Sequence, residues 1–314
     1  VPLIVLSNLR GGWLTPMKNS KLWKRNLFIA SFLLPTFAIF CLFTIYPLFR
    51  GLYLSFFDWS GGSESMNFIG IDNYRQLFSD EIIPKAISND YFLIFWKVIL
   101  IMLLATFFAV SLTRLKLKEY GFYRVVFFFP NIISVAVIGV LWSFIYNPRL
   151  GFLNAFISLF TGKPVETNWL GDSNLAMWSL LPPSVWAGIG FYMLLIIASI
   201  LGIPSSLYEA ASIDGAGQWQ QFTRITLPLI WEQFKTSIIH IVITTLNGSF
   251  IIVKLMTDGG PDNQTQVLGY YLYQMGFKQF HLSYGATIGV LILVLSLITT
   301  LILQRILHRE SIEM

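Results

Sequence analysis

Six apolar segments, each close to the roughly 20 residues that carry a helix across a bilayer, most constrain what this chain can fold into. They lie near Leu27–Phe49, Phe92–Thr113, Val125–Tyr146, Leu175–Leu201, Thr236–Met256 and Tyr284–Leu303. In lipid a helix satisfies its own backbone hydrogen bonds, which an open strand cannot do. The expected fold is therefore all-α, an integral membrane helix bundle with six transmembrane helices. Composition agrees: 55% of residues are hydrophobic and 12% charged, against roughly 25% charged in soluble domains. The net charge of +5 then belongs to loops and lipid headgroups, and no nucleic-acid partner is expected. Pro130, Pro182 and Pro183 are placed to kink or delimit the third and fourth spans.

Lys and Arg set the orientation. With the N-terminus inside, thirteen of them fall on inner segments, among them Lys24, Arg25, Arg114, Lys116, Arg224 and Arg305, and eight on outer segments or edges. The positive-inside rule favours this arrangement. Both termini are then cytoplasmic in a multi-pass membrane protein. Residues 1–26 are expected as a cytoplasmic N-terminal segment and residues 27–314 as the six-span domain. The apolar run Leu3–Leu6 is too short, and has no basic residue ahead of it, for a secretory signal. Residues 1–16 read as an upstream extension before a basic start at Met17. Three long outer loops, near residues 57–91, 147–174 and 257–283, either dock a partner or cap the bundle.

Enzyme classes find little support. There is no GxxxxGK[ST] for binding ATP phosphates and no GxSxG elbow. His240, His281 and His308 are isolated, without metal-ligand spacing. The single cysteine, Cys41, excludes an intrachain disulfide. Acids are nearly absent from the spans, so a proton relay is not supported. No catalytic residue, metal site or cofactor is expected in this chain.

One polar stretch stands out between the fourth and fifth spans, Ile203–Pro228, IPSSLYEAASIDGAGQWQQFTRITLP. Ser206 and Glu209 have the spacing of a capping box, and Asp214-Gly215 breaks the helix that follows. A second helix is expected from Ala216 to Thr226, with Trp219, Phe222 and Ile225 on one side. The topology puts this helix–turn–helix at residues 203–228 in the cytoplasm.

Glu209-Ala210-Ala211, Gly215 after three intervening residues, and Ile225-x-Leu227-Pro228 after nine more resemble the EAA loop. That loop marks permease subunits of binding-protein-dependent ABC importers, and the fuller ASIDGA and ITLP forms resemble the carbohydrate branch, of maltose/oligosaccharide type. Trp186, Gly188, Ile203-Pro204 and the turn Thr257-Asp258-Gly259-Gly260-Pro261 also match. The resemblance implies the type I ABC importer permease architecture and a coupling helix seated on an ATPase subunit, with Glu209, Ala210, Ala211, Asp214 and Gly215 at that contact. It implies a second homologous permease, two ATP-binding cassette subunits that hold ATP and Mg, and an extracytoplasmic solute-binding protein. The function implied is the translocation path of a sugar or oligosaccharide importer in the bacterial plasma (inner) membrane. A non-sugar solute such as glycerol phosphate, and a stand-alone secondary transporter or channel, are the alternatives.

In maltose-type permeases the substrate touches the fourth and fifth spans, and by alignment Gly188, Phe191, Leu246 and Ser249 fall at such positions. Leu246 and Ser249 stand where maltose-type members carry asparagines, so the substrate is not read in the same way. Tyr192, Asn247 and Lys254 complete the expected substrate path, with Trp186 as a further aromatic. Lys254 either snorkels to headgroups or attracts an anionic sugar.

Overall fold

A computed structural model describes residues 19–62, 65–114 and 119–308. The expected extension at residues 1–16 lies outside the described residues, as do Lys116 and Lys118. The chain divides into two compact units, residues 1–53 and 54–314.

The described residues of the first unit form one long apolar helix. It comprises α1 (Asn19–Phe40), a π turn at Cys41–Ile45 and α2 (Tyr46–Leu54). From Trp23 to Leu54 it is long and apolar enough to cross a membrane. Pro35 sits inside α1 without ending it.

The second unit opens with a short antiparallel pair, β1 (Phe57–Asp58) and β2 (Asn67–Phe68), with Phe57 opposite Phe68. Helix α3 (Asp72–Ser79) leads into α4 (Ile82–Arg114), α5 (Tyr120–Ile132) and α6 (Val135–Ile145). Helices α7 (Phe152–Thr161) and α8 (Ala176–Ser179) precede α9 (Leu181–Leu201). A hairpin follows, built from α10 (Ser205–Ile213), α11 (Gln218–Gln221), a π turn at Phe222–Thr226 and α12 (Leu227–Leu229). The chain continues as α13 (Trp231–Met256), α14 (Leu268–Tyr273), a further π turn at Gln274–Lys278 and α15 (Leu282–Ile306).

Among the described residues, five helices, or six when α5 and α6 count as one broken span, are long and apolar enough to cross a membrane. The count matches expectation, but two spans differ in form. The third is bent by 96° between α5 and α6. Pro130 leaves α5 short of one backbone donor, Ile133 turns extended, and the Ser134 hydroxyl accepts from the Ala136 amide to start α6. The second span starts at Ile82, ten residues before the expected Phe92. Its added turns carry Asn89 and Asp90, which a hydropathy reading places in a loop. Asn89 donates to the Gln264 and Gln266 carbonyls at 2.9 and 2.8 Å, and Asp90 accepts from the Leu268 amide at 2.9 Å. These partners satisfy polar groups that would otherwise be costly to bury. Pro182 and Pro183 fall in the first turn of α9, where a missing amide donor costs nothing.

The core lies along α4 and α9. Ala105 and Ala109, one turn apart and fully buried, let α9 approach through Met193, Ile196 and Ile200. Gly190 brings α9 against α5 so tightly that a Cβ there would sit 2.2 Å from the Phe127 carbonyl oxygen. Helix α13 packs on α4 and α6, and α15 on α13 and α14.

Candidate functional site

Two regions gather the residues that the sequence singled out. The first is the hairpin between α9 and α13. Its ends are anchored by Ile203 and Ile230, both buried in the α4–α9 core. Helix α10 stops as a Schellman motif: Ala216 donates to the Ala211 carbonyl and Gly215 to Ser212, at 2.9 and 3.1 Å. Gly215 takes φ +79°, a conformation that costs other residues about 1–2 kcal/mol. The break expected at Asp214-Gly215 is where the chain turns.

The hairpin is cross-braced on its inner side. The Tyr208 and Thr226 hydroxyls lie 3.0 Å apart, and Gln221 donates to the Ser212 hydroxyl at 3.0 Å and to the Ala216 carbonyl at 3.1 Å. Arg114, the last residue of α4, places its guanidinium 3.4 Å from the centre of the Tyr208 ring. Charge and ring face attract at this range, so the hairpin is tied to the end of a core helix.

The outer side is open. Glu209, Ala210, Asp214 and Gly215 are exposed, Ala211 is half-buried, and Ile213 is 87% exposed. Two local expectations are corrected. Helix α10 begins at Ser205, after Pro204, so Ser206 is already helical and no side-chain cap forms. Glu209 is consequently an open carboxylate on the surface rather than half of a capping box. Trp219 does not brace the bundle; it is 74% exposed with its ring against Phe222. The π turn at Phe222–Thr226 holds an extra residue, which rotates Trp219 outward while Ile225 and Thr226 face the core.

The second region is a cavity of about 340 Å³ between α4, α5, α9 and α13, near the lower end of the ~300–1,000 Å³ typical of ligand pockets. Helix α9 contributes Ser184, Gly188, Phe191 and Tyr192; α13 contributes His240 and Thr244. Lys97 of α4 and Asn131 of α5 complete its polar lining. The Tyr192 hydroxyl and His240 Nδ1 are 2.9 Å apart, and Asn131 Nδ2 donates to the Ala187 carbonyl at 3.3 Å. Thr244 donates to the His240 carbonyl at 2.7 Å.

The cavity thus unites Gly188, Phe191 and Tyr192 but not the remaining expected path residues. Leu246 is 1% exposed, packed with Ile94 and Val242. Ser249 is buried and donates to the Thr245 carbonyl. Asn247 is exposed on another face of α13, donating to the Ile243 carbonyl. Lys254 lies over the Tyr273 ring at 4.1 Å, one turn from Phe250. Trp186 meets Trp142 edge-on, its ring centre 6.2 Å away. Lys97, Asn131 and His240 were not singled out as ligands by sequence. A basic residue inside an apolar run was the available signal for Lys97.

At the α14 end, Asp258 accepts from the Tyr270 hydroxyl and from Lys278. The Tyr270 hydroxyl, then Lys278 and Lys254, hold its carboxyl below the usual carboxylate range.

Comparison with known proteins agrees with this architecture. The family described as binding-protein-dependent transport system inner membrane component matches residues 114–312. The diacetylchitobiose uptake system permease protein NgcF of Streptomyces coelicolor is 32% identical over 292 residues, 90% of this chain and 82% of that protein. The probable ABC transporter permease protein YurN of Bacillus subtilis is 37% identical over 273 residues, 84% of this chain and 90% of that protein. In fold, the chain is similar to a subunit of a bacterial ABC transporter that imports the acidic polysaccharide alginate. The TM-score is 0.80 at 23% identity, covering 93% of this chain and 99% of that one. This chain belongs to the family of binding-protein-dependent transport system inner membrane components.

Proposed function

We propose that this chain is the permease subunit of an ATP-driven importer for a sugar or oligosaccharide. It pairs with a second homologous permease to enclose the translocation path. Two ATP-binding cassette subunits engage its cytoplasmic face and a solute-binding protein its outer face. The chain does no covalent chemistry; ATP and Mg are bound by the cassette subunits. Both termini are cytoplasmic, and the six spans lie within residues 27–314.

The observation that carries this reading is the open face of α10. A surface of small residues at Ala210 and Ala211, a carboxylate at Glu209 and an exposed Ile213 suits a cleft on another protein. Glu209, Ala210, Ala211, Asp214 and Gly215 form the ATPase-coupling contact. Movement of the cassettes reaches α4 through Tyr208 and Arg114, and the core through Ile203 and Ile230. The saccharide passes Gly188, Phe191 and Tyr192, where Phe191 offers an apolar face to the C–H side of a sugar ring. A sugar rather than another solute is favoured by the relatives whose names give a saccharide.

The test is uptake of labelled oligosaccharides into proteoliposomes holding the permease pair, with and without the cassette subunits and binding protein. Uptake that requires both additions and ATP is expected. Uptake that persists without any cassette subunit would make the chain a stand-alone transporter or channel.

A further inference from the structure

We propose that Lys97 is a charge-selecting contact in the cavity, which receives a saccharide bearing a carboxylate, such as a uronate unit. This rests on the reading that the chain conducts a saccharide, and it names the chemical class of that cargo.

Lys97 lies within the apolar helix α4, yet it lines the cavity rather than the outer surface of the bundle. Among the described residues no hydrogen bond or ion pair is made to it. The carboxylate of Asp90, on the same helix and seven residues away, a rise of about 10 Å, attracts it through space without a hydrogen bond between them. One of its oxygens is already held by the Leu268 amide. An ionisable side chain within a membrane span faces water or a substrate path more often than lipid, because an uncompensated charge in hydrocarbon is costly. Lys254 differs in this respect, since its ammonium is already placed over the Tyr273 ring.

The rest of the lining points to the sign of the ligand. No Asp or Glu lines the cavity. Lysine is a donor only, with three N–H groups. The remaining polar lining, Asn131, Ser184, Tyr192, His240 and Thr244, contains no acid. Neutral sugar hydroxyls both donate and accept, whereas a carboxylate only accepts. An ammonium with no acid in the cavity lining therefore complements an acceptor-only group. Phe191, in the same lining, supplies a face for the ring that carries the carboxylate. The charge-assisted contact is roughly twice as strong as one between neutral groups, and stronger again where water is excluded.

The experiment uses the complete transporter in proteoliposomes. Uptake is measured for a labelled hexuronate trimer, for the same trimer with its carboxylates reduced to alcohols, and for glycerol 3-phosphate. Lys97→Gln and Lys97→Arg are compared with the unaltered protein, and trimer-stimulated ATPase activity serves as a second readout. The unaltered transporter is expected to take up the uronate trimer at least tenfold faster than its reduced form. Lys97→Gln should lower uronate uptake about tenfold, equivalent to ~1.4 kcal/mol, and leave reduced-trimer uptake unchanged or raised. Lys97→Arg should retain the preference. Equal loss of both trimers in Lys97→Gln, as when Lys97 pairs with an acid of a neighbouring subunit, overturns the proposal. So does preference of the unaltered protein for the reduced trimer, which leaves the saccharide reading intact. Uptake of glycerol 3-phosphate with neither trimer carried defeats both.

Discussion

The hairpin between α9 and α13 and the cavity solve opposite problems with the same helices. The hairpin makes its turn from local chemistry: Gly215 in the left-handed region, Gln221 bridging to Ser212, and Tyr208 beside Thr226. Its outer face is left without partners among the described residues. The cavity takes one or a few residues from each of four helices, and its shape depends on the packing of all of them. A contact surface for another protein can be carried on a self-contained motif. A selective passage requires polar groups to be held inside an apolar bundle, where each must be accounted for.

Packing contacts should be the most sensitive to change. Gly190→Leu forces side-chain atoms into the Phe127 and Phe128 backbone and should destabilise the bundle by about 3 kcal/mol, the upper part of the usual overpacking range. A thermal melt of the detergent-solubilised protein measures this. Gly188→Ala meets only the end of the Ile101 side chain, at 2.9 Å, and should cost less. Equal melting points for the two variants would show that the α5–α9 approach is not a tight constraint.

The hairpin should respond in function before stability. Gly215→Pro cannot adopt φ +79° and loses the amide that donates to Ser212. Glu209→Lys reverses an exposed charge. Both should lower transport at least tenfold and uncouple ATPase activity while membrane insertion survives. Normal substrate-stimulated ATPase in both variants would remove the coupling role from α10.

The brace between the two regions is a smaller effect. Arg114→Gln and Tyr208→Leu should couple in a double-mutant cycle by about 0.5–2 kcal/mol, the range for a cation over an aromatic face. Additive effects on melting would reduce the Arg114 contact to mere proximity.

The turn at Asp258 should give the smallest signal. Its carboxyl is held below its usual range chiefly by the Tyr270 hydroxyl. The stabilisation is complete above about pH 4, the ordinary carboxylate value, and is lost as pH falls through the lower folded value. Hydrogen exchange at residues 257–278 should therefore stay constant from neutral pH to about pH 5 once corrected for intrinsic rates. Asp258→Asn should raise exchange there across that interval. No difference between the two proteins would show that the ion pair with Lys278, itself exposed to solvent screening, and the Tyr270 contact do not order the turn.

Much of the hairpin was legible in the sequence because its determinants are contiguous. A glycine after Ser212-Ile213-Asp214 and a proline at each end specify a turn wherever they occur. The capping box at Ser206 and Glu209 was not realised because Pro204 takes the N-cap position, two residues earlier. Trp219 was misplaced because a regular helical period does not foresee a π turn. The cavity was half legible. Gly188, Phe191 and Tyr192 lie on one helix with recognisable neighbours, whereas Leu246 and Ser249, on α13, turned into the packed core.

Hydropathy by itself determined the number of spans, since roughly 20 apolar residues in a row have few other stable fates. Local turn chemistry likewise determined where the chain reverses at Gly215. Only the tertiary structure decided that α4 extends back to Ile82, because the partners of Asn89 and Asp90 lie in residues 264–268. It alone decided the 96° bend of the third span and the meeting of Lys97 with Asn131 and His240. The reason is physical: a polar residue in an apolar helix is tolerated or costly according to what faces it, and what faces it comes from a distant part of the chain.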